Sequence, residues 1–452
     1  MHSANLTTAP IKRLLVLLFV TFSYTIVAAQ DNSPYSRYGL GDIVPAQNIA
    51  SRGMGGISVA FIDSSGFLPY SQSINLTNPA ALGGLNTTLF DIGGEINIRT
   101  LKSNNSPTKS TATNTIFNYL QLGFPITPKK MLAKGNTWNI AFGLKPVTRV
   151  NYKIAADTRL VGIDSVSTLF EGTGGLNQAN FSTGIKIKNF SFGVTTGYSF
   201  GNKNTSTKRV FINDTVSYQQ SNTEASARYN GFFLTVGAQY GIRLQNKNVL
   251  RLGATANLQQ KLKGKADNFS ETFVYDNDGN VVRVDSVKSV LNQSGTVVVP
   301  ATYTGGFTYT TPHWIVGAEV STSQWDNYSY FGAKDAVQNN TMFRAGAQYY
   351  PATITTPTSK YWSFVKYRAG FYYGNDYVNI GTNRPNLGVT FGAGLPLTSF
   401  QRLRFGDFVT LNTGVEIGQN GNKQNQSLRE GIFRLNFGVS MTAAWFQKRK
   451  YE

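Results

Sequence analysis

Apolar and polar residues alternate with a period of two along about fourteen segments of this chain. Side chains of a β-strand point alternately to its two faces, so each such segment has one apolar face and one polar face. The last segment shows the pattern most clearly. Its apolar parity carries Phe433, Leu435, Phe437, Val439, Met441, Ala443 and Trp445, and its polar parity carries Arg434, Asn436, Ser440 and Thr442.

The segments are long and aromatic, and the connections between them alternate between short and long. Short turns at one end and long loops at the other are typical of outer-membrane barrels, whereas a soluble β-sandwich has no such asymmetry. We therefore predict an all-β fold, a transmembrane antiparallel β-barrel of about 14 strands with an N-terminal plug; 12 or 16 strands remain open. The candidate strands lie near residues 90–99, 115–126, 137–153, 177–188, 190–202, 225–245, 248–265, 301–311, 313–326, 340–350, 361–374, 386–398, 407–419 and 430–446. The connections at 154–176, 203–224 and 266–300 are predicted to be long loops.

The N-terminus has the three parts of a secretory signal peptide. Lys12 and Arg13 precede the apolar run 14–27, and small residues end at Ala29, after which we predict cleavage. Past this peptide no apolar run is long enough for a transmembrane helix, so an exported chain that spans a membrane has to close as a barrel. We predict an outer-membrane location with the N-terminus on the periplasmic side.

Three units follow from this division. Residues 1–29 form the signal peptide, residues 30–85 a glycine- and proline-rich plug or hatch, and residues 86–452 the transmembrane barrel. A flexible tail is the alternative for residues 30–85. The glycine density favours the plug, because glycine permits close backbone approach.

Composition narrows the possible chemistry. The chain has no cysteine, which excludes disulfides and thiolate metal sites, and it has two histidines. The formal charge of +19 arises from residues scattered along the strands rather than from a basic run. We therefore expect outer-membrane lipids, a lipophilic cargo and other envelope proteins as partners, and no nucleic acid.

Two local features suggest chemistry but have plainer explanations. The sequence Asp276-Asn277-Asp278-Gly279-Asn280 resembles a calcium loop, yet Val287 stands where a bidentate glutamate is required, and Asp-Gly between alternating runs predicts a hairpin. His313 follows a proline at a predicted turn and has no partner residue for catalysis nearby in the sequence. We predict no catalytic residue, no metal site and no cofactor.

Basic residues outnumber acidic residues on the polar faces of the strands. Arg344, Arg368 and Arg434 are the candidates for a lumen biased toward anions, such as the carboxylate of an amphipathic cargo. The alternative is that lumen charges pair with one another and with the plug. Pro146 interrupts the third candidate strand, where it marks either a kink that opens the wall or simply the end of the strand.

Several short motifs follow one another along the mature chain. They are the glycine run 53–56, Asp63-Ser64-Ser65, the Asn-Pro-Ala motif at 78–82, and the patches 299–303, 317–325 and 367–373. In this order they resemble the FadL-type (OMPP1/FadL/TodX) outer-membrane transporters of hydrophobic compounds. The N-terminal stretch 33–42 is similar to members of this superfamily from Bacteroidota. The chain departs from the family between Asp63 and Asn78, where additional residues lengthen the hatch.

The resemblance implies passive uptake of fatty-acid-like molecules that leave sideways into the membrane. In this scheme Asn78, Pro79 and Ala80 form a hatch contact against a kink at Pro146. A glycine hinge is assigned to Gly53, Gly55 and Gly56. The alternative function is a non-catalytic subunit of an outer-membrane assembly or secretion complex.

Overall fold

The chain folds almost entirely into β-strands. The structure, a computed structural model, describes residues 33–64, 71–103, 109–162, 164–212, 218–276, 278, 281–352, 360–381, 384–398, 408–423 and 428–442. The predicted signal peptide lies outside these residues. Within them, no helix has the length and apolar character needed to span a membrane. The strands are β1 (Asp42–Ile43), β2 (Leu89–Lys102), β3 (Lys109–Pro125), β4 (Thr137–Arg159), β5 (Ser165–Ile187), β6 (Phe190–Phe211), β7 (Gln220–Arg243), β8 (Val249–Asn257), β9 (Gln260–Tyr275), β10 (Val281–Val299), β11 (Thr302–Thr310), β12 (Trp314–Ser323), β13 (Ser329–Tyr330), β14 (Asn340–Tyr349), β15 (Lys366–Asn375), β16 (Pro385–Pro396), β17 (Val409–Asn420) and β18 (Arg429–Thr442).

These strands close into one antiparallel barrel. The last strand, β18, pairs with β2 from Arg429 opposite Lys102 to Thr442 opposite Leu89. Strands β8 and β9 both pair with β7, so together they occupy one position in the wall. Strands β11 and β10 together occupy the next position, where β11 pairs with β8. Counted in this way, and without the two-residue strands β1 and β13, the wall has 14 strands, which confirms the predicted fold class and the predicted number.

The two faces of the wall are inverted relative to a soluble protein. On β6 the polar residues Ser191, Thr195 and Ser199 are buried inside the barrel, while Phe192 and Phe200 are exposed on the outside. An exposed apolar exterior and a buried polar interior are stable only if lipid covers the exterior. The alternation that the sequence shows is therefore the lumen-lipid alternation of a membrane barrel.

The barrel is much taller on one side than on the other. Strands β4, β5, β6 and β7 have 22 to 24 residues each, whereas β14 and β15 have 10. We call the end of the barrel that carries the turn at 188–189 the lower end, and the end that carries the β9–β10 hairpin the upper end.

The prediction of long loops at the upper end was wrong. Residues 154–159 belong to β4, 165–176 to β5, 203–211 to β6, and 266–275 to β9. These strands continue past the lipid-facing band, and part of their inner face packs apolar residues such as Leu176 in a buried cluster. The alternation of an apolar outer face and a polar inner face therefore fades although the ladder persists. Strands β9 and β10 pair as a hairpin from Tyr275 opposite Val281, as the Asp-Gly sequence between them predicts, and residues 277, 279 and 280 lie outside the described residues.

Two short helices complete the described elements that matter for the site. Helix α1 (Ile49–Arg52) precedes the wall, and helix α2 (Lys129–Leu132) lies in the lower-end connection between β3 and β4. Asn48 caps α1, since its side chain accepts a hydrogen bond from the Ser51 backbone N–H. A 3-10 helix at Pro79–Gly84 leads into β2.

Candidate functional site

The residues before the wall, which we call the N-terminal segment (residues 33–88), are mostly buried and contact inward-facing side chains of the strands. Ser33 lies near the upper end, beside Glu430 of β18. Strand β2, which follows the segment, begins at the lower end. The apolar residues Ala50, Met54, Ile57 and Phe61 pack in one cluster with Ile315 of β12.

The predicted hinge glycines occupy positions of close backbone packing. Gly55 has φ +73° and Gly56 has φ +86°, conformations that side chains disfavour. A Cβ atom on Gly55 would lie 2.7 Å from the carbonyl oxygens of Ala345 and Phe371. Gly53 lies against Gly392, where a Cβ would come within 3.2 Å of the Cα. Glycine is thus required here for fit to the wall, and motion at this run stays a prediction.

The Asn-Pro-Ala motif also packs onto wall glycines, but not at Pro146. A Cβ on Gly193 of β6 would lie 2.3 Å from the carbonyl carbon of Pro79. A Cβ on Gly237 of β7 would lie 2.0 Å from Oδ1 of Asn78. The contact implied by the resemblance therefore lies on the β5–β7 wall, because that wall offers the glycines that let the motif approach.

Asn78 is fully buried and holds this contact by hydrogen bonds. Its amide nitrogen donates to the carbonyl oxygens of Val59 and Ala238, and its Oδ1 accepts from the Ala80 N–H at 3.0 Å. The Val59 carbonyl also accepts from the side chain of Gln239 at 3.0 Å. These bonds join two parts of the N-terminal segment to β7.

Pro146 lies where the wall separates. Strands β3 and β4 pair only from Pro125 opposite Asn139 to Leu120 opposite Leu144. Above this point β4 continues to Arg159 and β3 pairs with β2 alone, and a register shift on the β5 side falls between Pro146 and Thr148. Proline has no N–H to donate to a ladder, which suits a position where pairing is interrupted.

The short strand β1 partly covers this opening from inside. Asp42 pairs with Arg149 and Ile43 pairs with Thr148. A cavity of about 350 Å³ lies at the opening and a second of about 260 Å³ lies further inside; Val44, Pro146 and Thr148 line both. The barrel interior thus continues sideways to the gap between β3 and β4.

The inner cavity has an amphipathic lining. Apolar atoms come from Ile43, Pro45 and Phe233, whereas Lys145 and Gln178 contribute polar groups. Among the described residues, no carboxylate lies within salt-bridge distance of Lys145. The cavity is also lined by Arg344 and Glu319, which pair with each other, so Lys145 is its one cation without an acid partner among the described residues.

The three predicted lumen arginines are each paired with acids. Arg344 lies 3.4 Å from Glu319, and Arg368 lies 3.2 Å from Asp63. Arg434 contacts Glu416 at 2.5 Å. These contacts favour the interpretation in which lumen charges pair with one another and with the N-terminal segment.

Residues that the sequence analysis did not assign make the strongest of these links. Arg52 of helix α1 reaches Glu416 at 3.1 Å and also contacts Glu95, and all three side chains are buried. Asp63 lies 2.6 Å from Nζ of Lys366. For both Arg52 and Asp63, the available signal in the sequence was a charged residue inside a glycine-rich, otherwise apolar segment.

Asp63 stays ionised at neutral pH despite its burial. Burial alone would raise the pKa of its carboxyl group, but Lys366 and Arg368 together outweigh that effect and hold the pKa below its ordinary value. The carboxylate and its two cations therefore form a permanent charge cluster between the N-terminal segment and β15.

The last two features from the sequence are His313 and the sequence that resembles a calcium loop. The His313 ring is hydrogen-bonded through Nδ1 to the carbonyl oxygen of Tyr350 at 2.8 Å, at the lower end. Within the described ranges, no group of three or more His, Asp or Glu side chains is arranged to hold a metal ion. The absence of catalysis, metal and cofactor stays a prediction.

Comparison with known families gives one match over nearly the whole length. A family model described as BamG matches residues 10–452. The chain belongs to the BamG family. A comparison with curated proteins finds no match.

Solved channels share the fold of this BamG-family chain at low sequence identity. A deltaS2S3 mutant of the TodX monoaromatic hydrocarbon channel is 16% identical, with a TM-score of 0.54 over 88% of this chain and 99% of that one. The CymD monoaromatic hydrocarbon channel is 14% identical, with a TM-score of 0.51 over 90% and 99%. A Pseudomonas aeruginosa FadL homologue is 13% identical, with a TM-score of 0.52 over 88% and 98%.

These likenesses confirm the predicted resemblance to FadL-type barrels at the level of fold. The neighbours are channels rather than enzymes. The family label, BamG, differs from the predicted one, and the Bacteroidota branch stays a prediction.

Proposed function

We propose that this chain is an outer-membrane barrel for passive uptake of hydrophobic or amphipathic small molecules. The N-terminal segment is its plug, and cargo leaves sideways through the gap between β3 and β4. The observation that carries the proposal is the end of β3–β4 pairing at Leu120 and Leu144, with cavities on both sides of Pro146. A lateral exit suits an apolar cargo, because the cargo passes from the barrel into lipid without crossing water.

The plug assignment rests on the contacts of the N-terminal segment with the lumen. Buried ion pairs attach Arg52 to β2 and β17 and attach Asp63 to β15. The two cavities at Pro146 lie toward β4 and β5, and Lys145 and Asn180 line the inner one. A third cavity of about 190 Å³ lies on the ion-paired side, beside Arg52 and Arg434. The segment is therefore fixed on one side of the lumen and borders the proposed route on the other.

A crosslink across the opening tests the proposed route. Thr115 and Thr148 both line the outer cavity, one on β3 and one on β4. Since the chain has no native cysteine, a T115C/T148C variant treated with a short bis-maleimide carries a single crosslink. Uptake of a fluorescent long-chain fatty acid into proteoliposomes should fall to the level of protein-free vesicles after crosslinking.

The matched control places the same crosslink where the wall is already paired. Val415 and Leu435 are opposite each other on β17 and β18, so a V415C/L435C crosslink leaves the gap open. Uptake should be unchanged in this variant. Equal uptake before and after closure of the β3–β4 gap would overturn the lateral route.

The single unpaired cation of the inner cavity gives a second test, directed at the amphipathic character of the cargo. In a Lys145→Gln variant the wall and plug contacts stay intact, since Asp63 and Glu95 pair with other cations and not with Lys145. Uptake of a fatty acid should fall several-fold, as expected for loss of one charge-assisted hydrogen bond. Uptake of toluene, which has no carboxylate, should stay the same; an equal loss for both compounds would argue against a role in binding the head group.

A second candidate function is a non-catalytic subunit of an outer-membrane assembly or secretion complex. Membership of the BamG family supports it, because that match covers the whole barrel whereas the channels are similar in fold alone. The β9–β10 hairpin also supports it, since a row of apolar side chains on β10 is exposed. These are Val281, Val282, Val284, Val287, Val290 and Leu291.

Purification from native outer membranes in mild detergent separates the two candidates. Mass spectrometry of the purified barrel reports both bound lipophiles and co-purifying proteins. A stoichiometric lipophile on a solitary barrel supports uptake. A fixed set of protein partners without a lipophile supports the subunit and overturns uptake as the main function.

A further inference from the structure

An outward-facing basic patch lies on β7 and β9, directly above the apolar exterior of the tall side. It consists of Arg228, Lys261, Lys263 and Lys265, and we call it the β7–β9 basic patch. All four residues are exposed, and the alternating neighbour Leu262 is fully buried inside. The patch is separate from the lumen, the plug and the lateral opening.

The register places the four cations close together. Arg228 is directly opposite Lys265, and Asn230 is directly opposite Lys263. Opposite residues on one face of a sheet have Cβ atoms about 4.5–5.5 Å apart, and like charges at this spacing destabilise the pair. The wall thus keeps an unfavourable pair of cations where a polar or acidic residue would fit equally well.

No acid neutralises the patch. Among the described residues, no carboxylate lies within salt-bridge distance of any of the four side chains. The nearest acid along the same face is Asp267, and its Oδ1 accepts a hydrogen bond from the Asn292 N–H at 2.6 Å. An external anion would therefore relieve the repulsion.

The height of the patch indicates which anion it meets. On β6 the exposed apolar residues run from Phe190 at the lower-end turn to Phe200. Ten residues at ~3.3 Å each, on a strand tilted by ~40°, rise about 25 Å, the height of the lipid-facing band of such barrels. Phe200 is opposite Asn230, and Asn230 is opposite Lys263, so Lys263 lies at the top of this band and Lys265 above it. Lys261 lies two residues lower on β9, at the upper edge of the band.

Aromatic residues mark the same boundary. Phe232 is 76% exposed, and its ring lies edge-on to Tyr198 at 5.5 Å. Large exposed aromatic side chains are enriched where acyl chains meet head groups. Acyl chains below and phosphates above would cover Phe232 and the cations together.

The short side of the barrel has no equivalent. On β14, β15 and β16, the outward parity carries only apolar, small or uncharged residues, such as Thr341, Tyr373 and Leu387. The upper rim does carry a second basic group, where Lys102 of β2 is directly opposite Arg429 of β18 and Lys109 of β3. The β7–β9 basic patch differs in lying on the wall directly beside exposed aromatic residues.

We propose that the β7–β9 basic patch binds the phosphate groups of an anionic lipid in the outer leaflet, a phosphorylated glycolipid of the lipid A type. The proposal rests on the orientation in which the upper end faces outward, as the extension of β4 to β7 and of the β9–β10 hairpin beyond the lipid-facing band indicates. It does not depend on uptake or on membership of a complex.

The test compares two triple variants of equal charge change in the full-length barrel. Delipidated protein in detergent is titrated with bisphosphorylated lipid A and observed by native mass spectrometry. K261Q/K263Q/K265Q should weaken one-to-one binding at least tenfold relative to wild type, because each basic residue near an anionic surface adds to the attraction. K129Q/K130Q/K134Q removes three exposed lysines at the lower end and should bind as wild type does.

Two further arms identify the lipid group that is bound. Lipid A without its phosphates should bind at least tenfold more weakly to wild type, and free orthophosphate should compete only at millimolar concentrations. An equal loss of lipid A binding in both triple variants would show that only the net charge of the protein matters, and would overturn the proposal. Binding that is independent of the phosphates, or unchanged in K261Q/K263Q/K265Q, would overturn it as well.

Folding and function are controlled separately. Heat-modifiable migration on SDS gels reports whether each variant forms the barrel. Fatty-acid uptake should be the same for K261Q/K263Q/K265Q and wild type, since the patch faces away from the lumen. The single variant Arg228→Gln, which removes the like-charge pair with Lys265, should weaken binding by a smaller factor and leave folding intact.

Discussion

The lumen has two unlike sides. Toward β2, β12, β15, β17 and β18, acidic and basic wall residues hold the N-terminal segment through buried ion pairs. Toward the upper half of β4 and β5 the strands have 23 residues, against 10 to 14 on the first side. There the β3–β4 ladder is interrupted and two cavities open toward the gap. The same polar interior therefore fixes a segment on one side and opens sideways on the other.

The difference shows what decides whether a charged residue of the lumen is available to a ligand or instead holds the N-terminal segment. Arg368 and Lys366 face Asp63, so their charge is already neutralised within the protein. Lys145 lines a cavity and has no acid within reach among the described residues. A count of basic residues on the inward parity cannot separate these cases, because the decisive partner lies in another part of the chain.

The largest expected effect on stability comes from removing the ion pairs of Arg52, which hold the N-terminal segment to the wall. An Arg52→Leu variant leaves Glu95 and Glu416 buried with only Arg434 to share, and removing one partner of a buried ion pair costs about 3–5 kcal/mol. We expect a lower thermal unfolding midpoint and rapid cleavage of the N-terminal segment by proteinase K. Circular dichroism and N-terminal sequencing of the fragments measure the two effects.

A partly exposed ion pair on the tall side is the control. Lys153 and Glu171 are 2.9 Å apart, with side chains 51% and 31% exposed. Lys153→Ala should therefore change stability by less than about 1 kcal/mol. An Arg52→Leu variant as resistant to protease as wild type would show that the two sides are not fastened differently.

Much of this architecture follows from local sequence. Each membrane-spanning stretch needs one face toward lipid and one toward the lumen, so strands such as β17 and β18 keep the apolar-polar alternation. That alternation is what predicts both the fold class and the number of strands. The extensions 165–176 and 266–275 lack that constraint, because their outer face does not meet lipid and their inner face buries apolar residues such as Leu176 and Phe273. The sequence analysis therefore took them for loops.

The site was only partly accessible from sequence, for a different reason. Pro146 and Asn78 stand out locally, one as an interruption and the other within a motif. Arg52 and Glu416 are 364 positions apart and meet only when the barrel closes. Pairing across the lumen depends on the final register of all strands, which no local pattern contains.

A smaller effect is expected where the N-terminal segment rests on the lower part of the tall side. Gly193→Ala places a Cβ within 2.3 Å of the Pro79 backbone, so the 3-10 helix has to shift. Overpacking of this kind costs about 1–3 kcal/mol. Gly305→Ala is the matched control, since its Cβ meets nothing within 4 Å on another wall strand.

Thermal unfolding in detergent measures both glycine variants. We expect a clear decrease in the midpoint for Gly193→Ala and little change for Gly305→Ala. Equal midpoints would mean that the Asn-Pro-Ala motif is free to move away from β6, which would weaken the comparison between a fastened side and an open one.

A still smaller effect on the barrel is expected from shortening the tall side. Ala266 is opposite Gln293, so replacing residues 267–292 with Asn-Gly closes β9 and β10 through a two-residue turn. The barrel should form with a thermal midpoint closer to wild type than that of Gly193→Ala, because the removed ladder lies above the lipid-facing band. Co-purifying proteins lost with the hairpin would assign partner binding to its exposed valines, and failure to form the barrel would show that the upper sheet is needed for closure.

The smallest effect concerns acid. The folded pKa of Asp63 lies below its unfolded value of about 3.9, so its contribution to stability is complete above that value and is lost as the pH falls through the folded pKa. Pepsin digestion of the N-terminal segment should therefore be unchanged between about pH 6 and 5 and should accelerate only below about pH 4. In Asp63→Asn the carboxylate is absent at every pH, so that variant should be cleaved faster throughout and show a weaker acid step. A step of the same size in both proteins would assign the acid sensitivity to other carboxylates, and the cluster with Lys366 and Arg368 would then contribute little to holding the segment.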